Sequence, residues 1–289
     1  MGRFFLFGIL YASVSFALEY QITPKVANGT TAVVSVEEDG RSVCTKVEYK
    51  GVNYPLFLKK ETTQKYAFIP VSYYEKKSAQ EMKLICTENQ EEKQYILSFD
   101  IVDGEYAKEN IHVSKNKVHP KAKKVQQRIS SEYKEAMKIY HTHTPYLYIK
   151  EPFTLPLDSK ITSDFGKARV YNNTLKGYHS GTDFRAQVGT PIDASNAGKV
   201  VLVKKRFYSG GTVLIDHGEG IYTCYFHLSK FLVKEGDMVR KNQVIGLSGK
   251  SGRVTGPHLH FSARVDGVQV DPLQLIHVMN TTLFKEEKQ

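Results

Sequence analysis

The sequence predicts a mainly β fold in three parts: an N-terminal β-sandwich, a connecting basic amphipathic helix and a C-terminal all-β domain. Three observations lead to this class. Short runs of β-branched and aromatic residues, separated by turn residues, fill 18–112 and return from Ile161 to Val270. Between them, apolar residues recur at steps of three and four over 116–141, which is typical of a helix. With 41% apolar residues among 289, the chain can bury a core in each of two domains.

Residues 1–17 have the pattern of an export signal. Arg3 precedes the apolar run Phe4–Phe16, and Ser15-Phe16-Ala17 offers small residues where a signal peptidase cleaves. The run is short for a membrane span, although retention as an uncleaved anchor stays open. We therefore expect export, to the periplasm or otherwise to the extracellular space or the cell wall.

Residues 18–112 are expected to form a β-sandwich of immunoglobulin-like type. Strand candidates are separated by turn signals such as Asp39-Gly40, Lys50-Gly51 and Asp103-Gly104, with no helical pattern between them. The candidates are Val33–Val36, Val43–Val47, Leu56–Leu58, Tyr66–Ile69, Met82–Cys86 and Tyr95–Val102. No catalytic grouping is found in this part of the sequence.

Export changes the interpretation of the three cysteines. Cys44 and Cys86 both lie in alternating β-type segments, and in an oxidising compartment a disulfide between them is expected, worth about 4 kcal/mol on a chain-entropy estimate. Cys224 then has no partner. On the strand candidate Ile221–Leu228 it is out of phase with His227, so we expect it to face the core as an unreactive thiol.

Residues 113–150 are expected to be a helical linker and connector, with the helix over 116–141 and Pro120 in its first turn. One face carries an apolar stripe: Val118, Ala122, Val125, Ile129, Tyr133, Ala136 and Tyr140. The other carries Lys121, Lys123, Lys124, Arg128, Lys134 and Lys138. Two interpretations stay open. Either the stripe packs on a domain and the basic face is solvated, or the helix docks on a membrane surface or a protein partner.

The net charge of +10 fits either a merely soluble basic protein or attraction to a polyanionic surface such as a cell wall. The sequence has no nucleic-acid-binding motif, and nucleic acid is not an expected partner. The oligomeric state is not predicted.

The predicted C-terminal domain covers 151–277 and is followed by a tail, 278–289. Glycines punctuate short strand candidates here, and we expect long loops to wall a groove. The candidates are Gly198–Val203, Gly211–Asp216, Ile221–Leu228, Gln243–Ser248 and His258–Val265.

Three short motifs in this domain bring together four histidines and one aspartate: His179–Asp183, Tyr225–Leu228 and Gly256–His260. In a strand, His258 and His260 point to the same face, about 7 Å apart. This is the inventory that a catalytic zinc needs: three nitrogen or oxygen ligands, one open position and further groups that handle protons.

The motifs His179–Asp183 and Tyr225–Leu228 can contribute to such a site only if the chain folds in a particular way around them. A fully extended strand would hold His179 and Asp183 about 13 Å apart, and Gly181 between them permits the bend that brings both to one ion. His227 is expected on another strand, on the same face as Tyr225.

The remaining histidines are given no catalytic role. His141 and His143 lie at the predicted helix end with no carboxylate nearby in sequence, and His217 is interpreted as part of a hairpin turn. His112, His119 and His277 fall outside the motifs.

Taken in order, the motifs resemble those of the lysostaphin/LytM-type zinc endopeptidases of bacterial cell walls, which have a duplicated hybrid motif catalytic domain. The resemblance runs from about Phe153 to Leu273. It includes Ile161–Gly166, Gly189-Thr190-Pro191, Val233 with Gly236-Asp237 and Val239, Gly246 with Gly249, Ser251–Gly256 and Val270-Asp271-Pro272.

The resemblance implies one zinc ion per chain with His179, Asp183 and His260 as ligands. It implies that His227 and His258 activate water and stabilise the oxyanion, and which of them is the base stays open. Neutral imidazoles suit both tasks near neutral pH.

The chain departs from the family at one position. Some members carry a tyrosine six residues before the first ligand, where this sequence has Asn173. That contact is either absent or supplied by Tyr171 or Tyr178.

The family resemblance further implies a peptidoglycan D,D-endopeptidase, with or without carboxypeptidase activity, that cuts peptide crosslinks in wall remodelling or cell shape. The alternative is a catalytically silent wall-binding regulator of another hydrolase. A third hypothesis is self-inhibition, in which the sandwich or the helix covers the groove. Arg169 and Arg253 are expected on loops at the rim, either solvated or in contact with substrate carboxylates.

Overall fold

The computed structural model of the protein describes residues 18–38, 40–111, 120–171 and 175–284. The predicted export signal, His112, His119 and Asn173 lie outside these ranges. Within them, no helix has the length and apolar character needed to cross a membrane.

The N-terminal half consists of nine strands: β1 Glu19–Ile22, β2 Lys25–Ala27, β3 Thr31–Glu37, β4 Ser42–Tyr49, β5 Val52–Pro55, β6 Phe57–Leu58, β7 Gln64–Pro70, β8 Ser78–Glu88 and β9 Glu91–Val102. They form two sheets with the orders β1-β3-β7-β6 and β2-β9-β8-β4-β5. One pair, β2 with β9, is parallel. The two sheets share one core, so the predicted sandwich is confirmed, while its immunoglobulin-like character stays a prediction.

Local sequence explains why these strands form. In β4 the buried and exposed residues largely alternate, as expected for a strand with one face on a core. The β4–β5 hairpin turns at Lys50-Gly51, and both residues have positive φ, 50° and 76°. Cys44 lies opposite Cys86 on neighbouring strands, and the expected disulfide joins them.

The predicted helix is present but begins later than expected. Helix α1 covers Lys123–Tyr140, and the extended residue Ala122 precedes it without a side-chain cap. Pro120 therefore lies before the helix and not in its first turn. Only the C-terminal part of the apolar stripe is buried, at Ala136 and Tyr140, whereas Tyr133 is 64% exposed.

The C-terminal half contains the remaining elements. The strands are β10 Lys108–Ile111, β11 Ile161–Ser163, β12 Ala168–Tyr171, β13 Leu175–Tyr178, β14 Thr182–Arg185, β15 Pro191–Asp193, β16 Gly198–Arg206, β17 Gly210–Gly218, β18 Ile221–Leu228, β19 Lys230–Phe231, β20 Met238–Val239, β21 Val244–Leu247, β22 His258–Val265 and β23 Val268–Val270, followed by helix α2, Pro272–Phe284.

An eight-stranded sheet organises this half. Its order is β11-β14-β22-β18-β17-β16-β20, with β23 paired to β22. Two three-stranded sheets, β15-β21-β19 and β10-β12-β13, complete the half. One face of the large sheet packs on a core that includes Phe184, Tyr225 and Phe261. The opposite face is covered in part by α1, through Tyr140.

Two segments belong to other parts of the fold than the predicted domain boundaries assign them to. Strand β10, within the range predicted for the sandwich, pairs in parallel with β12 of the C-terminal half. Residues 278–284, predicted as tail, form the second half of α2, where Met279 is fully buried. The apolar residues of α2 recur at helical spacing, and this periodicity could have predicted the helix.

The two halves share a third core. Tyr66 and Phe68 of the sandwich pack in it with Val265 and Met279 of the C-terminal half. The side chain of Gln274 adds two hydrogen bonds across the boundary, because it accepts from the N–H of Thr31 and donates to the Thr31 carbonyl. This packing fixes the sandwich against the sheet that carries the functional residues.

Candidate active site

Strand pairing brings the third motif to the aspartate of the first. Strands β14 and β22 are antiparallel neighbours, and their register places Asp183 directly opposite His260. Two residues before His260 on the same face, His258 lies opposite Arg185. Because residues two apart in a strand share a face, both imidazoles of β22 point to the side on which Asp183 lies.

The loop before β14 adds the first histidine. His179 is fully buried, and Gly181 two residues later passes close to β22. A Cβ at Gly181 would lie 2.3 Å from the Phe261 carbonyl oxygen and 2.7 Å from Nε2 of His260. Glycine is therefore required here because of this close approach, and the prediction that Gly181 allows the two motif ends to meet agrees with the geometry.

Three donor atoms converge on one point. Nε2 of His179 lies 2.9 Å from Oδ1 of Asp183 and 2.9 Å from Nδ1 of His260, and the last two atoms are 2.8 Å apart. In a tetrahedral zinc site with bonds of about 2.0–2.1 Å, neighbouring ligand atoms are roughly 3.3 Å apart. The observed triangle is slightly smaller, so small side-chain rotations suffice to fit an ion. These residues form a group that could hold a metal.

Hydrogen bonds orient this group. Nδ1 of His179 lies 2.7 Å from the Asp164 carbonyl oxygen, which can only accept, so Nδ1 carries the proton and Nε2 offers a lone pair to the centre. Arg169 contacts Oδ2 of Asp183 at 3.5 Å, while Oδ1 faces the two imidazoles. The side chain of Arg169 is held in turn by Glu109, at 3.1 Å.

Two more imidazoles stand beside the triangle. The rings of His227 and His258 are 4.9 Å apart, and the ring of His227 is 5.9 Å from that of His260. Nδ1 of His227 lies 2.9 Å from the carbonyl oxygen of Ser251, and Nδ1 of His258 lies 2.9 Å from that of Gly256. Both rings therefore donate through Nδ1 and keep Nε2 as a proton acceptor.

The expected orientation of His227 is wrong. It was predicted on the face of Tyr225, but Tyr225 lies in the sheet's core while His227 faces His258. His227 has a φ of 65°, which is rare for a residue with a side chain and breaks the strand's alternation at this point.

The interruption of strand alternation at His227 also changes the interpretation of Cys224. It is buried as expected, and burial raises the pKa of its thiol to about 11. Its strand neighbour is Ser262, so it lies on the face of His260, beneath Tyr140 of α1, and not in the core on the other face.

Burial controls the charges of the site. Burial raises the pKa of Asp183, but hydrogen bonds and charges from His179 and His260 outweigh it and hold that pKa well below its usual range. Burial, together with repulsion from neighbouring imidazoles, lowers the pKa of His227 to about 3. Burial also lowers the pKa of His260 to about 4. Both imidazoles are therefore neutral at pH 7 and can bind a metal or accept a proton.

Asp183, His227, His258 and His260 line a cavity of about 410 Å³, whereas His179 is buried behind them. Arg169 and Arg253 both line the cavity, as predicted, but Arg169 lies on strand β12 and not on a loop. Glu109 and Asn110 of β10 also line it, and sequence reasoning missed them because no motif marks this strand. The self-inhibition hypothesis stays a prediction.

None of the other histidines in the described ranges lines the cavity. His217 is fully buried in β17, where it bonds the Ala197 carbonyl and the Thr223 hydroxyl at 2.7 Å each, so it is a core histidine and not a turn residue. His143 pairs with Asp266, and His277 is exposed on α2.

Tyr178, considered as a replacement for the missing tyrosine, has a different role. Its ring stacks on that of Tyr73 from the sandwich, with 3.9 Å between the ring centroids. It is not among the residues that line the cavity.

Comparison with known proteins agrees with this geometry. Residues 177–272 match the model of peptidase family M23. The peptidoglycan DD-endopeptidase ShyA of Vibrio cholerae is 44% identical over 135 residues, which cover 46% of this chain and 31% of that protein. The DD-carboxypeptidase/endopeptidase Mpg of Neisseria meningitidis is 43% identical over 118 residues, which cover 40% of this chain and 27% of that protein. This chain therefore spans about a third of the length of the curated relatives that it matches.

A solved structure extends the similarity to both halves. The crystal structure of a peptidase M23 from Pseudomonas aeruginosa aligns with 88% of this chain and 95% of its own, at 28% identity and a TM-score of 0.66. At this coverage the likeness extends beyond the sheet that carries the histidines into the N-terminal half.

Proposed function

Since residues 177–272 form a peptidase family M23 domain, we propose that this chain is a zinc-dependent endopeptidase that hydrolyses peptide crosslinks of bacterial peptidoglycan. The observation that carries the proposal is the convergence of three metal-binding atoms within 2.9 Å of one another, with two further imidazoles beside them. A catalytically silent regulator would not need all three metal-binding residues together with both additional histidines.

His179, Asp183 and His260 are proposed to hold a single zinc ion. Two imidazole nitrogens and one carboxylate oxygen match the ligand types of catalytic zinc sites, which keep one position open. When bound, zinc supplies Lewis-acid chemistry by polarising a carbonyl oxygen and lowering the pKa of water. Arg169 keeps Oδ2 of Asp183 turned away from the centre, so that Oδ1 is the proposed ligand atom.

His227 and His258 are proposed to handle protons. Their Nδ1 protons are engaged by the carbonyl oxygens of Ser251 and Gly256, which fixes the ring orientations. Each Nε2 can then accept a proton from the attacking water or, once protonated, donate a hydrogen bond to the developing oxyanion or a proton to the leaving amine. Either imidazole suits either task, and the pair is treated as one unit.

The D,D-crosslink is the proposed bond. The two curated relatives are named for DD-endopeptidase activity, and one of them also for DD-carboxypeptidase activity. Identity of 44% over 135 residues and 43% over 118 residues supports the same bond type in this chain, with carboxypeptidase activity as a second reaction.

Digestion of purified, crosslinked sacculi tests the proposal. The intact chain, loaded with zinc, is expected to release monomeric muropeptides, identified by mass analysis, and a chelator is expected to stop the release. Asp183→Ala should lose bound zinc, measured by elemental analysis. His227→Ala should keep zinc and lose at least about 100-fold in rate.

The matched control is His277→Ala, because His277 is exposed on α2 and far from the cavity in the fold. It should retain full activity. If the zinc-loaded chain left every crosslink intact, the proposed function would be wrong. A cellular phenotype that survives His227→Ala would favour the regulator instead.

We also propose that the protein is exported, most simply to the periplasm. The N-terminal apolar run and the Cys44–Cys86 disulfide both support this, since disulfides persist in oxidising compartments. Thiol alkylation of the protein from intact cells, followed by mass analysis, should modify at most Cys224. Labelling of all three cysteines would contradict export.

A further inference from the structure

A second cavity lies on the same face of the eight-stranded sheet as the five site residues. It encloses about 830 Å³ between the sheet and helix α1, and we call it the α1 cavity. The helix contributes Ile129, Tyr133 and Met137 to one wall, and the sheet contributes Phe226 and Arg264 to the other. Neither the M23 motifs nor the proposed chemistry assigns a role to this space.

The α1 cavity adjoins the metal-binding group. Every second residue of β22 from His258 to Arg264 lies on one face of the sheet. His258 and His260 line the smaller cavity, and Ser262 and Arg264 line the α1 cavity. The ring of Phe226 lies between the two, stacked on that of His260 with 5.4 Å between centroids.

A second contact joins the two cavities on the opposite side. The guanidinium of Arg253, which lines the smaller cavity, lies over the ring of Tyr208, which lines the α1 cavity, at 4.4 Å. A ligand that extends from the metal-binding group along β22 would pass the ring of Phe226 to reach the α1 cavity.

The charges of the α1 cavity are mostly positive. Lys121, Arg206 and Arg264 line it, against one carboxylate, Glu132. That carboxylate is already engaged, since Oε1 pairs with Nε of Arg128 at 2.7 Å and Oε2 accepts the N–H of Phe207 at 2.9 Å. An unneutralised cluster of cations in a half-enclosed space favours an anionic ligand.

Both arginines are held in place without being neutralised. Arg264 donates to the carbonyl of Gly267 and to Oε1 of Gln269, and its guanidinium lies 4.4 Å from the ring of Tyr140. Arg206 donates to the backbone carbonyl of Glu132, and its buried Nε has no hydrogen-bond partner. In the described part of the chain, neither guanidinium forms an ion pair. Each has five N–H donors, so donors remain for a carboxylate.

We propose that the α1 cavity binds a carboxylate-bearing segment of the substrate's stem peptide, and that the cationic side chains of Arg264 and Arg206 hold its carboxylate. This inference rests on the proposed function, because it takes the peptide of the crosslink as the ligand. The half-exposed apolar residues of α1, Ile129 and Tyr133, then pack on the aliphatic parts of the same segment. The incomplete burial of the α1 stripe is explained, since it forms a binding wall.

The distance fits a peptide of this kind. Alternate residues of a strand are about 6.7 Å apart, so the Cα atoms of His260 and Arg264 are about 13 Å apart. An extended peptide covers this with about four residues. A stem residue a few positions from the scissile bond therefore reaches the arginines while the bond lies at His260.

Binding of a short ligand tests the inference without turnover. The probe is the tripeptide L-alanyl-γ-D-glutamyl-diaminopimelate, which lacks the crosslink, compared with the same tripeptide carrying carboxamides. Calorimetry with the intact chain should show the free acid binding about tenfold more tightly than the amide. Arg264→Gln should remove this preference.

A second variant does not disturb the arginine's hydrogen bonds. Ile129→Glu places a negative charge on the cavity wall and should weaken free-acid binding about tenfold. The matched control, Gln127→Glu, adds the same charge to the same helix at an exposed position that does not line the cavity, and should change affinity less than twofold. Thermal unfolding checks that all variants are folded.

Equal binding of acid and amide would overturn the inference, as would equal affinities of Ile129→Glu and Gln127→Glu. If the charge dependence appears but sacculi stay uncut, the cavity assignment stands and the endopeptidase proposal falls. If sacculi are cut but tripeptide binding ignores these charges, only the cavity assignment falls.

Discussion

Glu219 offers a direct test of the interface between the two halves. It follows β17 at a φ of 51° and is buried against the sandwich, where the Tyr66 hydroxyl donates to its Oε2 at 2.8 Å. Burial raises the pKa of Glu219 to about 7, although the Tyr66 hydrogen bond and the charge of His143 partly oppose the rise. Ionisation of a carboxyl group in this position is therefore costly.

The sign and size of the effect follow from proton linkage. The unfolded chain loses this proton near pH 4.5, whereas the folded chain keeps it up to about pH 7. Between these values the folded state binds more protons, so its stability falls as the pH rises. The difference between the two pKa values corresponds to about 3 kcal/mol of stability, which is fully present below pH 4.5 and lost above pH 7.

Glu219→Gln removes the ionisation and keeps an acceptor for Tyr66. We expect the variant to match the wild type at pH 4 and to be more stable by about 3 kcal/mol at pH 8. The assay is equilibrium urea unfolding of both proteins at the two pH values, followed by circular dichroism.

The titration of the neighbouring His143 does not remove the expected stability difference between the wild type and Glu219→Gln. The hydrogen bond to Asp266 raises the pKa of His143, although burial opposes it, so His143 also contributes stability that is lost as the pH rises through its folded pKa. The part of that contribution that comes from Asp266 is present in both proteins and subtracts, whereas the smaller part that comes from the charge of Glu219 is lost in Glu219→Gln. If the stability difference between them were the same at pH 4 and pH 8, the proposed burial of an ionisable carboxyl would be refuted.

Three further perturbations probe other parts of the structure. Replacing Cys44 and Cys86 by alanine should lower the free energy of unfolding by about 2–4 kcal/mol, and adding a reductant to this variant should change nothing further. Gly181→Ala should lower zinc affinity by at least tenfold in a competition titration, because its Cβ would meet the Phe261 carbonyl; unchanged affinity would contradict the close approach. Met279→Ala should cost about 2–5 kcal/mol in urea unfolding, whereas a residue of a loose tail would cost nothing.

Elements with local patterns could be predicted from the sequence. The sandwich strands follow alternation and turn residues, and α1 follows its period, since both signals depend on neighbours within a few residues. The helix start was misjudged because Ala122 gives no capping signal. The sequence motifs predict that Asp183 and His260 bind the same metal, but they do not predict that the two residues lie opposite each other on paired strands. Strand register depends on both strands together and cannot be deduced from either segment alone.

Contacts between distant segments escaped prediction. Glu109 contacts Arg169 at the wall of the cavity because β10 leaves the sandwich and pairs with β12, and nothing in the residues of β10 indicates that partner. The α1 cavity likewise requires α1 to pack over β16, β17 and β18. Such placements depend on packing of the whole chain, which periodicity does not encode.

His227 shows where sequence rules fail at a site and why. Regular alternation along β18 would place residue 227 with Tyr225 in the core, and its imidazole would then not lie beside His258. The backbone solves this with a left-handed residue at the strand's end, held by a hydrogen bond from the His227 N–H to the Ser209 carbonyl. A non-glycine residue at positive φ costs of order 1 kcal/mol and persists where the surroundings impose it. The departure from the strand pattern is therefore itself a mark of function, since it turns a side chain that alternation would bury toward the four other residues of the site.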